Sequence, residues 1–238
     1  MYNRLKRSIA IVCLAAPLPF SVLAAGTATI QGSNGDRFTL EYDGSQMRLQ
    51  SDRQRNVHLI ANGSSIYAVT QAGGQPVVVS GNAVMGLLSA SSGRKQFASG
   101  SEDIQEFIGL RSTGRSETVG GIAGKVHTLE YIDRTGKRRA EEVVLSEHAE
   151  VAEMTNRFGR IAATFQQNSG VDNAGAQQLL QELDRRRAGI LRFADHYRLE
   201  SLNTATPSQA RFQLPAAPMQ LPALQGLEAL VPGLTGRR

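Results

Sequence analysis

The chain has 238 residues, with 26 lysines and arginines against 21 aspartates and glutamates, four histidines, one cysteine and no tryptophan. A formal charge of +5 spread over both signs is ordinary solubility chemistry and gives no reason to expect a nucleic-acid partner. A single cysteine excludes an internal disulfide framework, so the core must hold by packing alone.

At the start, Arg4, Lys6 and Arg7 precede an apolar run from Ile9 to Leu23, and the small residues Ala24 and Ala25 follow. That is the three-part pattern of a secretory leader, expected over residues 1–24 with cleavage after Ala24 or Ala25. Pro17 and Pro19 interrupt the run, which falls short of the roughly 20 residues a span needs, so no transmembrane segment is expected after processing. Cys13 lies inside the run behind Val12, the wrong place for lipid attachment. Losing the leader removes three basic residues and no acidic one, which leaves +2 and no cysteine.

Residues 25–217 read as one domain. A short strand over 28–31 ends in the turn cluster Ser33-Asn34-Gly35-Asp36. Phe38, Leu40 and Tyr42 then alternate with Arg37, Thr39 and Glu41, and Met47 and Leu49 repeat the pattern after Asp43-Gly44, a hairpin with one polar face. Strands over 57–61 and 66–70, turned by Asn62-Gly63 and Ala72-Gly73-Gly74, extend a meander, which argues an antiparallel sheet. Val77 to Val79 form a further strand behind Pro76. Residues 82–90 are expected to be a short helix capped by Asn82, residues 89–100 a surface loop, and residues 104–110 a strand.

A central hairpin is expected to begin at Val119, with strands over 125–132 and 139–145 around Asp133-Arg134-Thr135-Gly136; Gly120-Gly121 and Gly124 read as a bulge or tight bend. Val151, Met154, Phe158, Ile161 and Phe165 recur at alternating spacings of three and four, an apolar seam on one side of a helix. A second helix is expected over 174–187, with Ala176, Leu179, Leu180 and Leu183 on one side and Gly189 as its stop. Leu191, Phe193, Tyr197 and Leu199 alternate with Arg192, Ala194, His196 and Arg198 as one strand, a turn follows over 203–208, and residues 210–214 return as its partner. Residues 218–238 read as a flexible tail rich in proline and leucine, with a short apolar helix over 224–231.

No pair of histidines stands at a metal-ligand spacing, so neither a metal nor a cofactor is expected. Neither G-x-S-x-G nor S-x-x-K occurs at a strand-to-helix elbow, and the paired glycines lack the residues a phosphate loop requires. No catalytic residue is assigned, and the chain is read as a non-enzyme. The basic cluster Arg134, Lys137, Arg138 and Arg139 is diluted by Asp133, Glu141 and Glu142 and reads as a solvated hairpin end.

The order of elements resembles an uncharacterised family of bacterial envelope proteins similar to the LolA/LppX lipoprotein-carrier superfamily. The resemblance spans residues 26–217. It rests on Val119-Gly120-Gly121-Ile122-Ala123-Gly124 before the hairpin and on Phe212-Gln213-Leu214-Pro215 at the end of the domain. It implies an α+β fold: a curved antiparallel β-sheet, an open half-barrel, with helices packed on its concave face and a cavity for acyl chains between. No arginine matches the acyl-binding arginine of the carriers by motif, so the implied ligand contact is architectural.

Two functions follow as expectations. The first is a periplasmic, non-enzymatic binding protein whose partner is a lipid or the acyl chains of a lipoprotein, held in a hydrophobic groove by Met154, Phe158, Ile161, Phe193 and Tyr197. The alternative is a structural or interaction protein of the envelope with a filled core and no ligand.

Overall fold

The computed structural model describes residues 25–33, 35–80, 104–168 and 172–219, the side chains of Phe165, Gln167 and Asn168 excepted. The expected leader, the helix over 82–90 and the helix over 224–231 lie outside the described residues. Among the described residues eleven strands, all paired antiparallel, form one sheet, and two α-helices accompany it. The strands are β1 (Ala25–Gly32), β2 (Arg37–Asp43), β3 (Gln46–Ser51), β4 (His58–Asn62), β5 (Ser65–Ala72), β6 (Gln75–Ser80), β7 (Ile104–Val119), β8 (Ile122–Asp133), β9 (Arg138–Ser146), β10 (Gly189–Phe193) and β11 (Tyr197–Asn203). Helices α1 (Ala149–Asn168) and α2 (Ala174–Arg186) stand between β9 and β10, and a 3-10 helix, Gln209–Phe212, follows β11.

The spatial order is β6-β5-β4-β3-β2-β1-β11-β10-β9-β8-β7. Each half is a meander of sequence neighbours, as short loops dictate. The halves join where β1 pairs with β11, Thr27 opposite Asn203 and Gly32 opposite Tyr197. The sheet stays open, with β6 and β7 as its edges. It also curls: a side chain at Gly120, beside the end of β7, would come within 3.0 Å of the Leu199 carbonyl on β11, although β8, β9 and β10 stand between in the order. Neighbouring strands lie about 4.8 Å apart, so such an approach across four spacings requires strong curvature.

Several expectations are corrected. Residues 104–119 are one 16-residue strand, longer than the expected 104–110, and Gly120-Gly121 is the two-residue turn joining β7 to β8. Both glycines have positive φ, 57° and 80°, the conformation that this tight turn demands. Residues 191–199 are not one strand but two, because Ala194 takes φ 44° and the His196 amide donates to the Phe193 carbonyl at 2.9 Å. Phe193 then pairs with Tyr197, so a three-residue loop carries the in-out alternation through the turn unchanged. Helix α2 stops one residue earlier than expected, and its left-handed cap is Arg187 rather than a glycine; Gly189 opens β10 against the Val151 backbone, where no side chain fits. The expected return strand over 210–214 is the 3-10 helix, and beyond it the Met219 amide donates to the Val78 carbonyl of β6 at 2.8 Å.

The alternation along each strand sorts the sheet into two faces. Ala28, Ile30, Leu40, Tyr42, Phe193, Tyr197 and Leu199 belong to the main core with Val151 and Met154 of α1 and Leu179 and Leu183 of α2. Helix α1 packs on β10, and α2 packs on β7, where Gly175 approaches the Gln105–Glu106 backbone and Arg186 donates to the Leu110 carbonyl of the edge strand. On the other face, Ile60, Val69 and Val78 pack with Leu214 and Ala216 of the segment that follows β11.

Candidate functional site

Burial along α1 falls from its start to its end. Val151 and Met154 are fully buried, whereas Phe158 and Ile161 are half-buried against the core. Beside the apolar seam runs a second column of one turn spacing, Thr155, Gly159, Ala162 and Gln166; the Thr155 hydroxyl reaches the sheet and accepts from the Ile190 amide at 2.9 Å, whereas Gly159 and Ala162 present little or no side chain. Under that column a cavity of about 60 Å³ remains. The sheet contributes Ile30, Leu40, Ile190, Phe193 and Tyr197 to its floor, and Met154, Phe158, Leu179 and Leu180 to its walls come from the helices. None of the residues lining it is charged.

Four of the five residues expected from sequence, Met154, Phe158, Phe193 and Tyr197, meet at this cavity. Ile161 does not line it and packs at the margin of the core instead. Sequence reasoning missed Gln166, which is only 7% exposed and whose Oε1 is buried with no hydrogen-bond partner among the described residues. It also missed Leu180 and Gly159: a side chain at Gly159 would collide with the Leu180 methyls, so the glycine is what lets α2 lay Leu180 against α1. The signal was present as four small or polar residues in helical register beside the seam, a pattern for close approach rather than for filling.

Leu180 and Thr155 also border a second space, an open groove of about 280 Å³ between the first half of α1 and the last half of α2. Ala149, Ala152, Leu183 and Ala188 line it together with Glu153, Asp184 and Arg187. The Leu180 side chain therefore stands between cavity and groove. Asn173 ties the two helices at the opposite end: its Nδ2 donates to the Ala163 carbonyl of α1 at 3.1 Å, and its Oδ1 accepts from Gln177 of α2 at 2.7 Å.

Electrostatics separate the two faces of the sheet. Burial pushes the Tyr42 and Tyr197 phenols up, which keeps both protonated beneath the helices. Charges collect on the other face. Arg192 donates to Glu117 at 2.7 Å and Glu142 at 3.3 Å, and the Arg192 hydrogen bond holds the Glu117 carboxyl below its ordinary value. Under the segment after β11, Arg48 and Arg211 both donate to Glu41, at 2.9 and 2.8 Å. Burial alone would raise the Glu41 carboxyl, but these two bonds outweigh it and hold it low. His58 lies within the field of this network, and burial followed by Arg48 and Arg211 lowers its imidazole to about 4.

Among the described residues no cluster of histidine, cysteine or carboxylates could hold a metal ion, and no helix is long and apolar enough to cross a membrane. The architecture defines an α+β protein with an open, curled antiparallel sheet and a pair of helices that leave an apolar cavity above it. In comparisons with known proteins, no family model, no curated protein and no solved structure matches the chain.

Proposed function

We propose that the protein is a non-enzymatic binding protein for a hydrophobic ligand of the cell envelope, a lipid or the acyl chain of a lipoprotein, held between α1, α2 and the sheet. The reading takes the curled sheet as an open half-barrel with the helices on its concave face, the architecture of the lipoprotein carriers that the sequence resembles. The observation that carries it is the uncharged cavity under the column Thr155, Gly159, Ala162 and Gln166. The secretory pattern over residues 1–24 fits a ligand met outside the cytoplasm.

At 60 Å³ the cavity takes about two methylenes, each needing on the order of 30 Å³, the share of a water. A longer chain is accommodated when Leu180 rotates and joins the cavity to the neighbouring groove. Burial of about ten methylenes at ~0.8 kcal/mol each, less the cost of ordering ligand and helices, leaves room for micromolar affinity. The same small volume favours the second reading, an envelope interaction protein whose core is filled. Titration of delipidated protein with the uncharged fluorophore N-phenyl-1-naphthylamine decides between them. Saturable one-to-one binding that dodecanol displaces is the expected result; the absence of saturable binding to folded protein overturns the carrier reading in favour of the filled core.

A further inference from the structure

The proposed binding reading leaves open what kind of head the ligand carries, and the cavity itself limits the choice. Three of the residues lining it have polar side chains: Thr155, Tyr197 and Gln166. The Thr155 hydroxyl is already engaged, accepting from the Ile190 amide at 2.9 Å. Burial keeps the Tyr197 phenol neutral. Gln166 remains, more than nine-tenths buried, with its Oε1 closed off from solvent and without a hydrogen-bond partner among the described residues. A buried acceptor left without a donor is destabilised by its lost hydration, and a ligand that brings an O–H or N–H to it recovers that loss.

The field at this end of the cavity favours neither sign. Gln166 lies in the last turn of α1, where the helix dipole is negative, but α2 begins alongside, with its positive end held to α1 through Asn173. The two ends oppose each other. An ionised carboxylate, phosphate or ammonium entering here would lose its hydration with no counter-charge in the lining to replace it. A hydroxyl or amide keeps its one strong hydrogen bond and surrenders little.

We propose that Gln166 makes the cavity selective for a lipid with an uncharged, hydrogen-bond-donating head, a long-chain alcohol or primary amide or a glyceride with a free hydroxyl, against ionised lipids of the same chain length. This rests on the cavity being a ligand site, and the experiment separates the two claims. Dodecanol, dodecanamide, dodecanoate and dodecylammonium are each titrated at pH 8 against N-phenyl-1-naphthylamine bound to the full chain. Dodecanol and dodecanamide are expected to displace it at least tenfold more tightly than either ion. Gln166→Met, close to isosteric, is expected to lose about tenfold for the alcohol and amide relative to its own affinity for the fluorophore, while the two ions shift no more than the fluorophore does. Gln166→Lys is expected to turn the preference toward dodecanoate. Equal displacement by dodecanoate and dodecanol in the unaltered protein overturns the inference whatever the variants do, as does a ranking that Gln166→Met leaves unchanged. A fluorophore that never binds removes the ligand site itself, and the inference with it.

Discussion

Helices α1 and α2 cover one face of the sheet through apolar side chains and leave a cavity above Phe193 and Tyr197, whereas the segment after β11 covers β2 to β6 on the other face through Phe212, Leu214 and a buried carboxylate held by two arginines. Apolar packing is non-directional, so the helices can shift or Leu180 can turn at small cost. Charge-assisted bonds fix distance and angle, so the segment from Gln209 to Met219 is pinned in register. The contrast separates a face closed by apolar packing, where a cavity remains, from a face whose cover is fixed by charge-assisted bonds.

Four measurements break or sharpen that contrast. Glu41→Ala strands the Arg48 guanidinium, whose side chain is 8% exposed, and is expected to cost about 4 kcal/mol in urea unfolding while leaving the naphthylamine affinity of the folded protein within twofold. An affinity loss that tracks the stability loss would show that the two faces are one unit. On the helix side, Phe158→Asp sets a carboxylate among apolar groups and should cost about 3 kcal/mol, whereas Arg160→Asp, on the exposed side of α1, should stay below about 0.5 kcal/mol. Equal thermal shifts for the two would contradict the assigned face.

The third measurement is pH dependence. The His58 pKa is lowered from 6.5 to about 4 on folding, so the unfolded chain takes up the proton first, and the stability it contributes is complete above pH 6.5 and drains away as the pH falls toward 4. A loss on the order of 2 kcal/mol across that window is expected, and His58→Gln should flatten it. The lowered Glu41 carboxyl adds a further loss at lower pH still, as it is protonated, which the His58 variant should retain. Leu180→Ala is expected to cost only about 1 kcal/mol, because that side chain is half-buried. By merging cavity and groove it should raise dodecanol affinity at least threefold; an affinity that falls would place the ligand elsewhere.

Much of this was legible in the chain because periodicity reports which side of an element is buried. The α1 seam and the first five hairpin strands follow from alternation and turn glycines alone. Where periodicity is silent, the reading failed for a physical reason. The β10–β11 turn was invisible because a loop of three residues preserves parity, so Phe193 and Tyr197 face the same way in one strand or in two. The stretch 210–214 reads as a return strand because it follows a turn; residues 209–212 instead form a 3-10 helix in which Arg211 reaches Glu41, a partner 170 residues away that local sequence cannot announce. The seam pointed to Met154 and Phe158, but the cavity is made by what the adjacent column lacks, and a missing side chain leaves a weaker trace than a present one. Gln166 stood in that column as a polar residue without a local partner, which only the folded chain reveals.

The junction of β1 with β11 bears on how the molecule is assembled over time. Residues 27–32 acquire their second neighbour only when residues 197–203 are present, so without the late strands the edge of β1 at Ala28 and Ile30 has no partner there. Ile60, Val69 and Val78 likewise stay wet until Leu214 and Ala216 arrive. Contacts of such long sequence separation form slowly, so refolding of the whole chain is expected to be slow and to expose apolar surface until the last strand is in place.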